Sequence, residues 1–238
     1  MLHDICELLR GNLYPGRGII IGRSYDNKKA VIVYFIMGRS ENSRNRVFSE
    51  TEDGIKTEAY EPSKMTDPSL VIYHPVRCVV TGDGPVFIVT NGDQTDTLRE
   101  YLFAGKSYVE ALMTREFEPD APNYTPRISG LLFPCGSYML SILKATDHNP
   151  ACCLRHFFTY DSPQPGAGHF IHTYTGDGAP LPSFIGEPVP VEIPPRDLNT
   201  FADELWLALN EENKVSLYVS EIDLASGNYI STIINKNT

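Results

Sequence analysis

Two carboxylates and an arginine share one polar stretch, Glu118-Pro119-Asp120 leading to Tyr124-Thr125-Pro126-Arg127, stiffened by Pro119, Pro122 and Pro126. A carboxylate fixed there can exchange protons with a bound molecule, and a guanidinium beside it can fork onto an anion. More cations lie upstream. Gly22-Arg23-Ser24 ends one apolar run, Gly38-Arg39-Ser40 ends the next, and Arg44-Asn45-Arg46 follows in a polar loop. Such a loop suits phosphate oxygens, although scattered arginines equally make a solvated surface. A hairpin of the two runs would set Arg23 and Arg39 at opposite ends of its strands. The third feature is TNGDQTDT, residues 90–97, between an apolar run and a helical pattern. The free N–H groups of that helix suit an anion, unless Asp96 and Thr97 satisfy them.

Other chemistries find little support. Cys153-x2-His156 and His169-x2-His172 have the spacing of zinc ligands, but 168–176 reads as a strand. Residues three apart on a strand point to opposite faces, so His169 and His172 are not expected to share an ion. There is no G-x-S-x-G elbow, P-loop or G-x-G-x-x-G, and Cys135 has no histidine near it in sequence. Neither a metal nor an organic cofactor is expected.

Composition narrows the partners. A net charge of −10 argues against nonspecific binding to nucleic acid or to an anionic membrane surface. Twelve of the twenty basic residues are Arg, and Arg23, Arg39, Arg44, Arg46 and Arg77 fall in the first third, as expected of one local anion site. Five cysteines make no even framework and fit a reducing compartment. The start, MLHDICELLRGN, lacks a signal peptide's basic end and apolar core, and the longest apolar run, 30–38, is too short to span a bilayer. A soluble, cytoplasmic protein is expected; a homo-oligomer is compatible with the sequence.

The elements that must position these residues are mostly strands, expected at 18–22, 30–37, 70–80, 86–90, 128–133, 138–144, 152–160, 169–175, 215–222 and 229–234. Thr97-x2-Glu100 and Ser107-x2-Glu110 have capping-box spacing, which predicts helices starting there. Leu98, Tyr101 and Leu102 would form the inner face of one, and Val109, Leu112 and Met113 that of the other. A third helix is expected over 200–210, with Phe201, Leu205, Trp206 and Leu209 inside, and a short one over 2–10. The Pro-rich 180–195 reads as a surface crossing. Ten strands and a few helices, not strictly alternating, predict an α+β fold with mainly antiparallel sheet in one domain, 1–238.

Taken together, Gly22-Arg23-Ser24, Arg39-Ser40 with Asn45-Arg46, Asn91-Gly92-x2-Thr95-Asp96-Thr97 and Glu118-x-Asp120-x4-Thr125-Pro126-Arg127-Ile128 resemble the archaeal-type IMP cyclohydrolases in order and spacing. The likeness runs from the first strand through Thr173-Tyr174 to the last helix. It implies a four-layer α-β-β-α sandwich of the N-terminal-nucleophile-hydrolase type, used here without a processed N-terminal nucleophile. It further implies closure of a formamidoimidazole carboxamide ribonucleotide to inosine monophosphate, the last step of de novo purine synthesis. By motif matching, Arg46, Tyr73 and Glu118 are the expected catalytic residues: Glu118 to transfer protons, Tyr73 and Arg46 to stabilise the oxygen. Arg23, Arg39 and Arg127 are expected on phosphate or base. Asn91, Thr95 and Asp96 would shape the nucleotide pocket, and Tyr174 would stack on the base or belong to the core. A non-catalytic purine-nucleotide-binding relative, or an amidohydrolase of the same fold acting on another C–N bond, would carry the same arginines.

Overall fold

A computed structural model describes residues 1–146 and 149–238. The single-domain expectation for 1–238 includes Asp147 and His148, which lie outside the described residues. The chain opens with helix α1 (Ile5–Gly11), capped by the Asp4 carboxylate, and the hairpin β1 (Arg17–Arg23) and β2 (Lys29–Met37). A one-turn α2 (Glu41–Arg44) then leads into β3 (Arg46–Thr51), β4 (Gly54–Ala59), β5 (Val76–Thr81) and β6 (Gly84–Thr90). Helices α3 (Gln94–Phe103) and α4 (Tyr108–Met113) precede β7 (Arg127–Leu132), β8 (Tyr138–Thr146), β9 (Asn149–Tyr160) and β10 (Ala167–His172). The chain ends with β11 (Val189–Glu192), α5 (Leu198–Ala208), β12 (Lys214–Asp223) and β13 (Tyr229–Asn235).

The strands form two antiparallel sheets, six-stranded β11-β10-β1-β2-β12-β13 and seven-stranded β3-β4-β5-β6-β7-β8-β9. Alternation of side chains on each strand divides the interior into three cores. Ile19, Ile21, Ile32 and Tyr34 of the first sheet meet Phe48, Phe87, Ile128 and Leu140 of the second. The outer face of the first sheet, with Ile20, Val33, Phe35 and Leu217, packs under Ile5 and Leu9 of α1 and Phe201 and Leu205 of α5. The outer face of the second, with Ile88, Leu131 and Met139, packs under Leu98 of α3 and Leu112 of α4. Strands buried on both faces have no polar alternation to show, which explains the continuous apolar runs of β1 and β2. At about 0.8 kcal/mol per buried methylene, these cores are the fold's main favourable term.

Several expected elements differ. The strand expected over 70–80 begins at Val76; residues 71–73 instead run irregularly beside β4, where the Tyr73 N–H donates to Thr57 Oγ1 (2.8 Å) and Thr57 Oγ1 donates to the Val71 carbonyl (2.8 Å). Strands β3 and β4 had no strong apolar pattern because their residues are half exposed near a sheet edge. The Pro-rich crossing contributes β11, and Leu181, Phe184, Val191 and Ile193 are buried. In α4 the inner face is Ala111 and Leu112, while Val109 and Met113 are exposed. In α5, Trp206 is only half buried, with the Lys214 ammonium 4.5 Å from its ring centre. Ser107 and Glu110 do form the expected capping box.

The TNGDQTDT junction is the main correction. The helix begins at Gln94, one turn before Thr97, and Asp93 is its cap residue without a capping hydrogen bond. Asn91 is fully buried and staples the junction to β7: its amide donates to the Pro126 carbonyl (2.8 Å), and its Oδ1 accepts from the Ile128 N–H (2.8 Å) and Gln94 Nε2 (3.1 Å). A Cβ on Gly92 would lie 2.4 Å from Arg127 Nη1 and 2.7 Å from Gln94 Oε1, so a larger residue there must displace the ends of those side chains. Replacing Asn91 by Ala strands several of these buried groups, and each unsatisfied group costs about 1–3 kcal/mol. We expect Asn91→Ala to lower the urea midpoint by an amount equivalent to about 2–4 kcal/mol, with little change in slope.

Candidate active site

Arg17, on the inter-sheet face of β1, and Arg46 at the start of β3 lie at one end of the space between the sheets. Arg127 at the start of β7 springs from the α3 side of its strand, where it donates to Gln94 Oε1 (2.6 Å), yet its charge still acts on Glu118. Tyr73 reaches the same end from the irregular 71–73 segment, and its hydroxyl hydrogen-bonds that of Tyr34 on β2 (2.8 Å). Glu118 enters from the loop after α4, with its backbone N–H donating to the Thr125 carbonyl (2.9 Å). Tyr174 follows β10, and its N–H donates to Pro15 O (3.2 Å), just before Arg17. None of these side chains, nor Thr125, is more than a tenth exposed.

Burial decides the electrostatics. The Glu118 carboxyl is pushed up to about 7 by desolvation; Arg17, Arg127 and Arg46 pull it down, and Asp120 pushes it further up. Its Oε1 has no hydrogen-bond partner among the described residues. Arg17 also loses solvation, but Glu118 and three phenols outweigh that loss and hold its guanidinium more firmly charged than usual. Arg46 is shifted the other way by burial, reinforced by the neighbouring charge of Arg17 and opposed by Tyr73. Its Nε donates to the Ser43 carbonyl (2.7 Å) and one Nη to Met37 O (3.4 Å). The other Arg46 Nη and Arg17 Nε are buried without a partner among the described residues. Buried donors and an acceptor left open together form a site for a polar molecule carrying both donors and acceptors.

Around this centre the loop of Glu118 is tied closed. Asp120 accepts from the Thr125 backbone N–H (2.6 Å) and from its hydroxyl (2.5 Å), and the Tyr174 hydroxyl lies 2.5 Å from Thr125 Oγ1. The Tyr174 ring stacks on Tyr14, with centroids 5.9 Å apart at 16°. Arg39 lies over the other partner of that stack, 5.1 Å from the Tyr14 ring centre, and donates to Asp177 (2.5 Å) and Gly178 O (3.0 Å). It is therefore a rim residue, part of the way into solvent.

Of the residues singled out by sequence, the fold brings Arg46, Tyr73, Glu118 and Tyr174 together, with Arg39 at the rim and Arg127 held by Gln94 and Asp93 on the α3 side, its charge acting on Glu118. Arg23 is not among them. It sits at the far end of β1, its guanidinium donating to the carbonyls of Asn27 (3.2 Å) and Cys135 (3.5 Å). Asn91 and Thr95 are spent on the junction, Thr95 against Thr90 Oγ1 (2.6 Å). Asp96 pairs with Arg77 (2.9 Å), and Asp93 bridges Arg115 and Arg127, the latter at 2.7 Å. Both carboxylates of TNGDQTDT, Asp93 and Asp96, are thus paired with arginines. His169 and His172 do face opposite sides of β10: His169 Nδ1 meets Tyr138 Oη (2.6 Å), and His172 Nδ1 meets Tyr174 O (2.8 Å). Two residues were missed. Arg17 follows from hairpin arithmetic, because an antiparallel β1–β2 pair sets it opposite Ile36, beside Gly38-Arg39. Tyr34 is signalled by a phenol inside an apolar strand, since a buried hydroxyl needs a partner.

The chain is a two-sheet α+β protein with a buried acid near neutrality among guanidinium and phenol groups. A model of the IMP cyclohydrolase-like protein family matches residues 14–227, and the chain belongs to that family. It is 28% identical over 175 residues to the IMP cyclohydrolase of Methanopyrus kandleri, covering 72% of this chain and 79% of that one. It is 30% identical over 137 residues to the IMP cyclohydrolase of Halobacterium salinarum, covering 56% of this chain and 64%, just under two thirds, of that protein. Among the described residues no helix is long and apolar enough to cross a membrane.

The acid makes stability pH-dependent. Its affinity for a proton is higher folded than unfolded, so the stabilisation is full below its ordinary 4.5 and is lost as pH rises through about 7. Glu118→Gln removes that loss. We expect the Tm gain of the variant over the parent to be larger at pH 8 than at pH 5, by scanning calorimetry.

Proposed function

We propose that this protein is an IMP cyclohydrolase, acting on a purine ribonucleotide precursor in the cytoplasm, with residues 1–238 forming one domain. The observation that carries the reading is the buried Glu118 carboxyl, poised near neutrality with an open oxygen, among Arg17, Arg46 and Arg127. The three cores between helices and sheets also support an α-β-β-α sandwich of the N-terminal-nucleophile-hydrolase type.

Ring closure asks for what these groups offer. The substrate's carboxamide nitrogen forms a bond to the formyl carbon while the C=O π electrons move onto oxygen. The nitrogen gives up one of its two protons and the oxygen gains one, leaving a carbinolamine. That intermediate then loses its hydroxyl, with a proton from the former formamide nitrogen, as water. Glu118 can accept a proton as carboxylate and return it as acid, because its pKa lies near the working pH. Arg46 and Tyr73 can donate to the oxygen as it becomes negative, and Arg17 adds fixed positive charge. Arg127 and Arg39 remain for the 5′-phosphate or the base. No step asks for a redox group.

Incubating the purified protein with the formylated ribonucleotide should give an absorbance change as inosine monophosphate forms. Nucleotide binding without turnover would replace the enzyme with a binding protein. Glu118→Gln should lower kcat by roughly 10²-fold or more. Arg46→Lys should also lose activity, by roughly 10-fold or more, since one ammonium nitrogen cannot span the Ser43 and Met37 carbonyls and the site as three guanidinium nitrogens do.

A further inference from the structure

We propose that Tyr174 serves the ligand only as a hydrogen-bond acceptor, held in that polarity by Asp120 acting through Thr125, and that its oxygen holds the one carboxamide proton surviving ring closure. The inference rests on the ring-closure reading above and adds to it the recognition of a specific substrate atom.

The polarity follows from the order of the groups. Asp120, as a carboxylate, has no proton to give, so both of its short contacts must be donated to it: by the Thr125 backbone N–H at 2.6 Å and by the Thr125 hydroxyl at 2.5 Å. Thr125 has a single hydroxyl proton, and that proton is committed to Asp120. Its contact with Tyr174, also 2.5 Å, must therefore run from the tyrosine hydroxyl to Thr125 Oγ1. The tyrosine proton thus points away from the site, leaving only lone pairs on the phenolic oxygen for a bound molecule. Nothing rotates easily, because Thr125 and Tyr174 are each 1% exposed and the Tyr174 ring is stacked on Tyr14.

This oxygen lies 2.5 Å from Thr125, whose carbonyl accepts the Glu118 backbone N–H (2.9 Å), so it borders the site described above. An acceptor here takes a hydrogen-bond donor, and on the reacting carboxamide that donor is an N–H. The reacting carboxamide nitrogen begins with two protons and ends, as the lactam nitrogen of inosine monophosphate, with one. An oxygen that takes one N–H in a hydrogen bond presents the other to the base and keeps contact with the retained proton through product formation. Asp120 and Thr125 are positioning residues in this scheme, and Tyr174 is the contact.

Reversing the chain tests it. In Asp120→Asn the amide oxygen can keep the Thr125 N–H while the amide nitrogen donates to Thr125 Oγ1. Thr125 would then donate to Tyr174, whose hydroxyl would turn toward the ligand as a donor. Thr125→Val removes the acceptor for the tyrosine proton, whereas Thr125→Ser keeps it. The probes are inosine monophosphate, with an N–H at the relevant ring atom, and adenosine monophosphate, with a bare acceptor nitrogen there, titrated by calorimetry. The parent and Thr125→Ser should prefer inosine monophosphate by about 10- to 100-fold. Asp120→Asn and Thr125→Val should lose or invert that preference while retaining a cooperative melting transition. An unchanged preference in folded Asp120→Asn and Thr125→Val overturns the proposal, as does binding of neither nucleotide by the parent. Should Asp120→Asn fail to fold, the Val and Ser variants at 125 decide: equal preferences in the two overturn it. A parent that binds inosine monophosphate without turning over the formylated substrate instead sinks the cyclohydrolase reading, and the two failures are distinguishable.

Discussion

Everything at the site depends on one carboxyl group being kept dry without being neutralised by direct contact. A buried carboxylate ordinarily demands a hydrogen-bonded ion pair, and a close guanidinium would press its pKa far below neutrality. Glu118 avoids that outcome. Three arginines act on it, yet Oε1 has no hydrogen-bond partner among the described residues, and desolvation remains the larger effect. The result is an acid pushed up to about 7. Its position is set by backbone and neighbours, since its N–H is fastened to Thr125 O and Thr125 is fastened to Asp120.

The same constraint explains the arginines. Arg46 is among the largest fully buried side chains, and it is held by carbonyls of Ser43 and Met37 rather than by a carboxylate. Carbonyl contacts anchor a guanidinium without cancelling its charge. Arg127 does have a carboxylate, Asp93, but that group is half exposed and shared with Arg115. Asp93 has left its capping role to do so, which is why the first turn of α3 lacks a side-chain cap. Open donors in a dry site cost stability, and the three apolar cores offset that cost.

Legibility in the sequence followed from how each signal arises. Strands β1, β2, β6, β7 and β8 declare themselves because burial on both faces removes polar alternation. Strands β3 and β4 do not, because half-exposed near-edge strands carry charges that read as loop. The Thr97-x2-Glu100 pattern misplaced a helix start because three-residue spacing recurs inside any helix, and only geometry says which turn is first. At the site, Glu118 and Arg127 were visible as a constellation, whereas Tyr73 came only from likeness to a family motif. No periodicity marks an irregular segment held by Thr57.

Arg17 and Arg23 make the deeper point about reading charge from a strand. They are six residues apart on β1, an even spacing, so both face the space between the sheets. At about 3.3 Å per residue they are also roughly 20 Å apart, at opposite ends of that space. A strand that lines a core from end to end offers two such places, and the sequence of that strand treats them alike. What separates them is the rest of the chain. At the Arg23 end the loop after β7 brings the Cys135 carbonyl and Gly136, where a Cβ would fall 1.9 Å from Arg23 Nη1, and the β1–β2 turn brings the Asn27 carbonyl. At the Arg17 end the loop before β7 brings Glu118, Asp120 and Thr125. Both arginines keep a buried Nε without a partner among the described residues, but only Arg17 has an acid, Glu118, acting on its charge. The surroundings of the two arginines are therefore decided by which loop meets which end, a long-range fact written in the connection between β6 and β7 rather than in β1.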